Sequence, residues 1–168
     1  MTNRKRWKGM LWFLVLFVVV GVIAGAGFFP VFRIYGSSMS PTLNKGEIVV
    51  AVRGTEWKRG DIIAFSYNNK ILIKRLIAGP GSVVNIDAEG IVSVNNKPLE
   101  EPYLTGGEGG SGNELDCLVP EGEYFVLGDC RTIAMDSRDA GIGCVPRDRI
   151  IGRIVFRFWD LSRFGVVH

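Results

Sequence analysis

The sequence predicts a mainly β fold: an N-terminal transmembrane helix followed by an antiparallel β-sheet domain. Three observations predict it. The chain opens with an uncharged apolar run. Short Val- and Ile-rich runs follow, broken by Gly, Asn, Asp and Pro, and two Asn-Asn pairs, at 68–69 and 95–96, read as hairpin turns. At 168 residues the chain has room for one ordinary domain and a tether.

The tether is expected at 9–32. Between Lys8 and Arg33 lie 24 residues without a formal charge, which as a helix rise roughly 36 Å. A bilayer's hydrocarbon core is about 30 Å thick. Residues 1–8 carry Arg4, Lys5, Arg6 and Lys8, a basic cluster that predicts a cytoplasmic N-terminus and an extracytoplasmic domain over 33–168. A cleaved signal peptide is the competing reading, because "AGA" at 24–26 resembles a small-x-small cleavage site. The apolar character continues through Phe28, Phe29, Val31 and Phe32, longer than such a segment needs. Both readings export the domain.

Beyond the tether, strands are expected at 47–53 (EIVVAVR), 61–67 (DIIAFSY), 71–78 (ILIKRLIA), 82–87 (SVVNID), 91–95 (IVSVN), 123–128 (EYFVLG) and 150–159 (IIGRIVFRFW). "NNK" at 68–70 and "VNNKPL" at 94–99 read as hairpin turns, since Asn tolerates positive φ. "GGEGGSG" at 106–112 reads as a flexible loop. The closing "FRFWDLSRFG" at 156–165 fits either a core strand edge or a surface dipping into headgroups, and the core strand is adopted.

Composition excludes several function classes. The formal charge is only +3, with much of the basic excess in the first eight positions, which argues against nucleic acid. Cys117, Cys130 and Cys144 lack the close paired spacing of a zinc site, and their odd number leaves at least one thiol unpaired. The single histidine, His168, is the last residue, where chains fray. No Ser-His-Asp triad, Cys-His pair or histidine metal cluster follows from such a chain, so a nucleophile here needs another base.

Three segments carry candidate chemistry. "YGSSMSPTLNKG" at 35–46 follows the apolar run closely; its plain reading is a turn into a helix, with Ser40 as N-cap and Pro41 first in the helix. That leaves Ser37 and Ser38, beside Met39, without a structural reason. Lys74 lies mid-way in an otherwise apolar strand, where an exposed edge face is the plain reading. A buried ammonium there is costly unless it pairs or loses its proton. A neutral lysine can accept a serine's proton, so serine plus lysine is a workable pair where histidine is absent. "LGDCRTIAMDSRDAGIGCVP" at 127–146 crowds Asp129, Arg131, Asp136, Arg138 and Asp139 between glycines. It reads as a bracing loop able to hold Arg75 and so position Lys74.

Behind an N-terminal anchor and in this order, the three segments resemble bacterial type I signal peptidase, the membrane-bound serine protease also called leader peptidase, in its short Gram-positive-like form. "GSSMSPTL" at 36–43 resembles its nucleophile box, "IKR" at 73–75 its lysine box, and "GDCR…MDSR" at 128–138 its third box. The resemblance implies coiled antiparallel sheets, Ser38 as nucleophile, Lys74 as general base, and exported preproteins as substrates at the bilayer, with no metal or cofactor. It implies an oxyanion and substrate site from Ile34, Tyr35, Gly36, Ser37, Ser38, Met39 and Leu72. Asp129, Asp136 and Arg138 would join Arg75 in the supporting network. Two positions depart from the family pattern: Cys130 stands where Asn is usual, and Ala134 where a serine usually hydrogen-bonds the lysine amine. Weakened catalysis is the expectation, with Thr132, Ser137 and water open as replacements. Gly36 also lacks the hydroxyl that some relatives add to the oxyanion hole. Two rival readings are a silent relative that binds signal sequences or surface subunits, and a soluble self-cleaving Ser-Lys repressor; the anchor opposes the second.

Overall fold

The computed structural model describes residues 3–54, 56–104 and 114–167. The loop expected at 106–112 and the terminal His168 lie outside them.

One helix, α1 (Asn3–Phe28), opens the chain. It stops short of the expected boundary at 32 because Pro30 cannot continue it. The rest of the apolar run becomes β1 (Val31–Arg33), paired antiparallel with β2 (Ile48–Val52). Among the described residues no helix is long and apolar enough to cross a membrane, so the expected span is not confirmed.

The domain is two antiparallel sheets. The larger holds β1, β2, β3 (Ile62–Tyr67), β4 (Lys70–Ala78), and four strands from further along the chain. The smaller is built from β5 (Val83–Ile86), β6 (Val92–Val94), β7 (Lys97–Pro98) and β8 (Leu115–Leu118) in the order β7-β6-β5-β8. The remaining large-sheet strands are β9 (Glu123–Leu127), β10 (Val145–Pro146), β11 (Ile150–Trp159) and β12 (Gly165–Val166). The large sheet runs β1-β2-β11-β3-β4-β9-β10, with β12 on β11. All seven expected strands are present within two residues at each end. The hairpin turns follow the Asn-Asn pairs: Asn68 and Asn69 have φ of 44° and 60°, Asn95 and Asn96 of 53° and 62°, the positive-φ pair a two-residue hairpin needs.

Three apolar clusters fill the interior. One joins the small sheet to β9 through Val84, Val92, Phe125 and Leu127. A second packs Met39 and Leu43 against Val49, Ala51 and Ile154. A third sets Ile63, Phe65 and Leu76 against Val126. The second cluster matters most for chemistry, because it seats the segment after β1 by its side chains.

Near its end the strand at 150–159 turns one arginine inward and two aromatics outward. Arg157 is buried, while Phe158 and Trp159 are about half exposed. Glu47, buried beside it, supplies the counter-charge that reverses the ordinary preference.

Candidate active site

The turn at 37–43 is not the helix start expected from Ser40 and Pro41. The Ser40 hydroxyl donates to the Asn44 side chain instead of capping a backbone N–H, and Ser40 N–H to Ser37 C=O and Leu43 N–H to Met39 C=O bonds close the turn. Packing holds it: Met39 and Leu43 are buried in the core while Ser37 stays exposed and Ser38 half-exposed.

β4 brings the lysine to this turn. Pairing with β3 in the register Ile63↔Lys74 places Lys74 in a central strand, at 2% exposure. Its Nζ lies 2.6 Å from Ser38 Oγ. A charged lysine donates across that distance; a neutral one accepts the hydroxyl proton. Burial lowers the Lys74 pKa from 10.5 to about 8, opposed by the charges of Asp136 and Asp129 and helped by Arg138. A usable fraction of the amine is therefore neutral near physiological pH.

The backbone around Ser38 is clamped by the third segment. Cys130 N–H donates to the Ser38 C=O at 3.1 Å. A side chain at Gly128 would stand 2.6 Å from the same carbonyl and against the Ala134 methyl, so only glycine fits. Among the described residues the Ser38 N–H has no protein acceptor. It is therefore available to a developing oxyanion. Nothing lies within 4 Å of where a Gly36 side chain would begin.

The charged residues divide into two groups. Arg75 makes a two-pronged bond to Asp129 at 2.9 and 2.8 Å and donates to the Gly60 C=O, with the Tyr103 ring 3.9 Å from its guanidinium carbon. Thr42 donates to Asp129 at 2.5 Å, which ties this pair to the serine turn. Asp136 and Arg138 bond each other at 2.9 and 3.0 Å, and Asp136 accepts the Gly128 N–H. Arg75 meets Asp129 directly and reaches neither Asp136 nor Arg138. The two groups join through Arg131, which donates to the Gly128 C=O, pairs with Glu101, and has its own C=O held by Arg138.

Neither candidate replacement for the missing serine reaches Lys74. Ser137 Oγ accepts the Val126 N–H, and Thr132 is exposed beside the Cys130 sulfur. Sequence reasoning missed Thr42 and the cluster Glu47–Arg157–Arg163. Arg157 donates to Glu47 at 3.1 Å and to the Thr42 C=O at 2.9 Å; Arg163 donates to Glu47 at 3.0 Å and to the Pro41 C=O at 2.8 Å. An arginine inside the apolar run "IVFRFW" was the one available signal.

Beside Ser38 and Lys74 runs a groove of about 830 Å³ between the 31–36 segment and the start of β4. Ile34, Tyr35, Gly36, Met39, Ile71 and Leu72 are among its walls. An open groove flanked by two extended segments accepts an extended chain.

A hydroxyl held against its own amine base, beside an extended groove in an antiparallel β domain, is the apparatus of a serine hydrolase acting on polypeptide. Comparison with known proteins agrees. Residues 6–159 match the family described as signal peptidase, peptidase S26, and the chain belongs to it. It is 34% identical over 163 residues to signal peptidase I of Bacillus licheniformis, covering 89% of this chain and 87% of that one. It is 33% identical over 173 residues to signal peptidase IB of Staphylococcus aureus, covering 90% and 86%. A crystal structure of a signal peptidase I from Enterococcus faecalis superposes with a TM-score of 0.51 at 31% identity, over 58% of this chain and 96% of that one.

Proposed function

We propose that this chain is a signal peptidase: a serine endopeptidase that removes N-terminal signal peptides from exported preproteins, with Ser38 as nucleophile and Lys74 as base. The observation that carries the reading is the 2.6 Å approach of Ser38 Oγ to a lysine at 2% exposure, in a member of this family. Neutral Lys74 takes the Ser38 proton as Oγ attacks the scissile carbonyl, and the oxyanion meets the Ser38 N–H. The resulting ammonium gives its proton to the leaving amine. Lys74 then activates the water that hydrolyses the acyl-enzyme. No step draws on a metal or cofactor.

The substrate enters as an added strand between 32–35 and 71–73, with Ile34, Tyr35 and Leu72 against it and shallow pockets that admit small residues at the first and third positions before the cut. Asp129, Asp136, Arg138 and Arg75 hold the serine turn and the lysine strand in register. The N-terminal segment anchors the domain to the bilayer, N-terminus inside and 33–168 outside. The uncharged part of α1 rises roughly 30 Å, and Trp12, Phe13 and Phe17 on it are each about three-quarters exposed, with no domain surface covering them.

Cleavage of a purified preprotein in detergent tests the reading. Wild type is expected to cut after a small residue, with Ser38→Ala and Lys74→Ala each at least about 1,000-fold slower. Undiminished cutting by Ser38→Ala would remove Ser38 as nucleophile. An inert wild type that still retains the preprotein would make the chain a silent binder.

A further inference from the structure

Two of the three cysteines meet in the fold, although 27 positions separate them. Cys117 lies on β8, opposite Val84 of β5. Cys144 stands immediately before β10, whose Val145 pairs with Tyr124 of β9. Both pack on the cluster that joins the small sheet to β9, and their sulfurs are 3.7 Å apart as free thiols. A disulfide needs about 2.05 Å, a closure smaller than the sweep of a cysteine sulfur between rotamers. Both residues are only partly buried, so small thiol reagents can reach them. Cys130 is elsewhere, with its sulfur 3.7 Å from the Thr132 hydroxyl.

We propose that Cys117 and Cys144 form a disulfide that staples the small sheet to the end of the third-box loop. Two S–H bonds break and one S–S bond forms. The two electrons and two protons pass to a disulfide-bearing oxidant, a small molecule or a thiol oxidoreductase, whose own S–S bond opens to two thiols. The closed loop contains β9, Asp129, Asp136 and Arg138, so the bridge ties down both ends of the segment that clamps Ser38. The Cys144 thiol is pushed up to about 12 by burial and then by Cys117 beside it, so closure without a catalyst is slow. Formation in the cell rests on the exported location proposed above; the pairing itself does not.

The test uses the full chain in detergent micelles, reduced and then equilibrated in glutathione buffers of rising oxidised fraction. The thiols are trapped with acid, alkylated with a maleimide, and mapped by peptide mass. Adducts on Cys117 and Cys144 are expected to vanish together while Cys130 stays alkylated, and Tm is expected to rise by roughly 5 to 10 °C. Cys130→Ser should behave like wild type; Cys117→Ser and Cys144→Ser should show neither change. Three alkylated cysteines at every ratio, glutathione retained singly on Cys117 or Cys144, or a bridge that includes Cys130 would each overturn the pairing. Peptidase activity is not read, so an inert enzyme would leave a bridged result standing, and an unbridged pair would leave the peptidase reading untouched.

Discussion

With Lys74 as the proposed base, its titration sets the expected pH dependence of cleavage. As the proposed base it acts in its neutral form, and its pKa is about 8. Thus kcat/KM should rise about tenfold per pH unit below that value and level off above it. A profile flat from pH 6 to 10 would show that no amine of this kind is the base. Stability carries the same signature. The unfolded group binds its proton up to 10.5 and the folded group only up to about 8, so between those values the unfolded chain holds more protons and stability rises with pH. The burial cost, about 3 kcal/mol, is present in full below pH 8 and gone above 10.5. Urea unfolding of wild type against Lys74→Met across that window should show the gain in wild type alone. Ala134 is the other residue to test. Its methyl faces Gly128, whose backbone packs close to the Ser38 carbonyl, and Lys74 has Ser38 as its one hydrogen-bond partner among the described residues. Ala134→Ser should restore an orienting bond and speed cleavage roughly 5- to 150-fold. An unchanged rate would mean that the serine turn alone orients the amine.

At the scale of elements, the turn at 37–43 is held from two sides. Asp129 from the third-box loop takes Thr42, and Cys130 takes the Ser38 carbonyl. From the other side Arg157 on β11 and Arg163 in the 3-10 turn Leu161–Arg163 hold the Pro41 and Thr42 carbonyls, with buried Glu47 neutralising both. Glu47→Ala strands the buried Arg157 and should destabilise the fold by about 3 to 5 kcal/mol. Arg163 is more exposed, so its loss should spare stability. Arg163→Ala should lower kcat roughly 5- to 30-fold at unchanged KM and unchanged pH profile, with part of the loss recovered in Arg163→Lys. A rise in KM at constant kcat would move Arg163 from positioning the serine to binding the substrate.

For the molecule as a whole, the consequence lies in the join between α1 and the large sheet. Pro30 ends the helical path and β1 enters the sheet edge within a few residues, so little slack separates the helix from the serine turn. If α1 is the anchor, the site stands close to the bilayer surface, where the junction of an anchored signal peptide emerges. Protease added to intact spheroplasts should digest 33–168, and carbonate at high pH should leave the chain in the membrane pellet. Release by carbonate, or protection of the domain until the cells are opened, would reverse the anchor or its orientation.

Much of this was legible in the sequence because the forces involved are local. Val and Ile runs favour the extended backbone wherever they stand, Asn-Asn pairs accept positive φ without help from the rest of the chain, and an uncharged apolar run declares itself by composition. The serine, lysine and third segments were recognisable as words in order, and so was the family. The tertiary structure alone decided the short strands β1, β7, β8, β10 and β12, which have too few residues to be extended without a partner. It replaced the expected Ser40-capped helix with a turn seated by Met39 and Leu43. It also decided that Arg75 would take Asp129, that Arg157 would turn inward to Glu47, and that Ser38 and Lys74 would meet across 36 positions of chain. These are contacts between distant segments, whose energies come from burial and charge pairing that exist only once the sheets have closed.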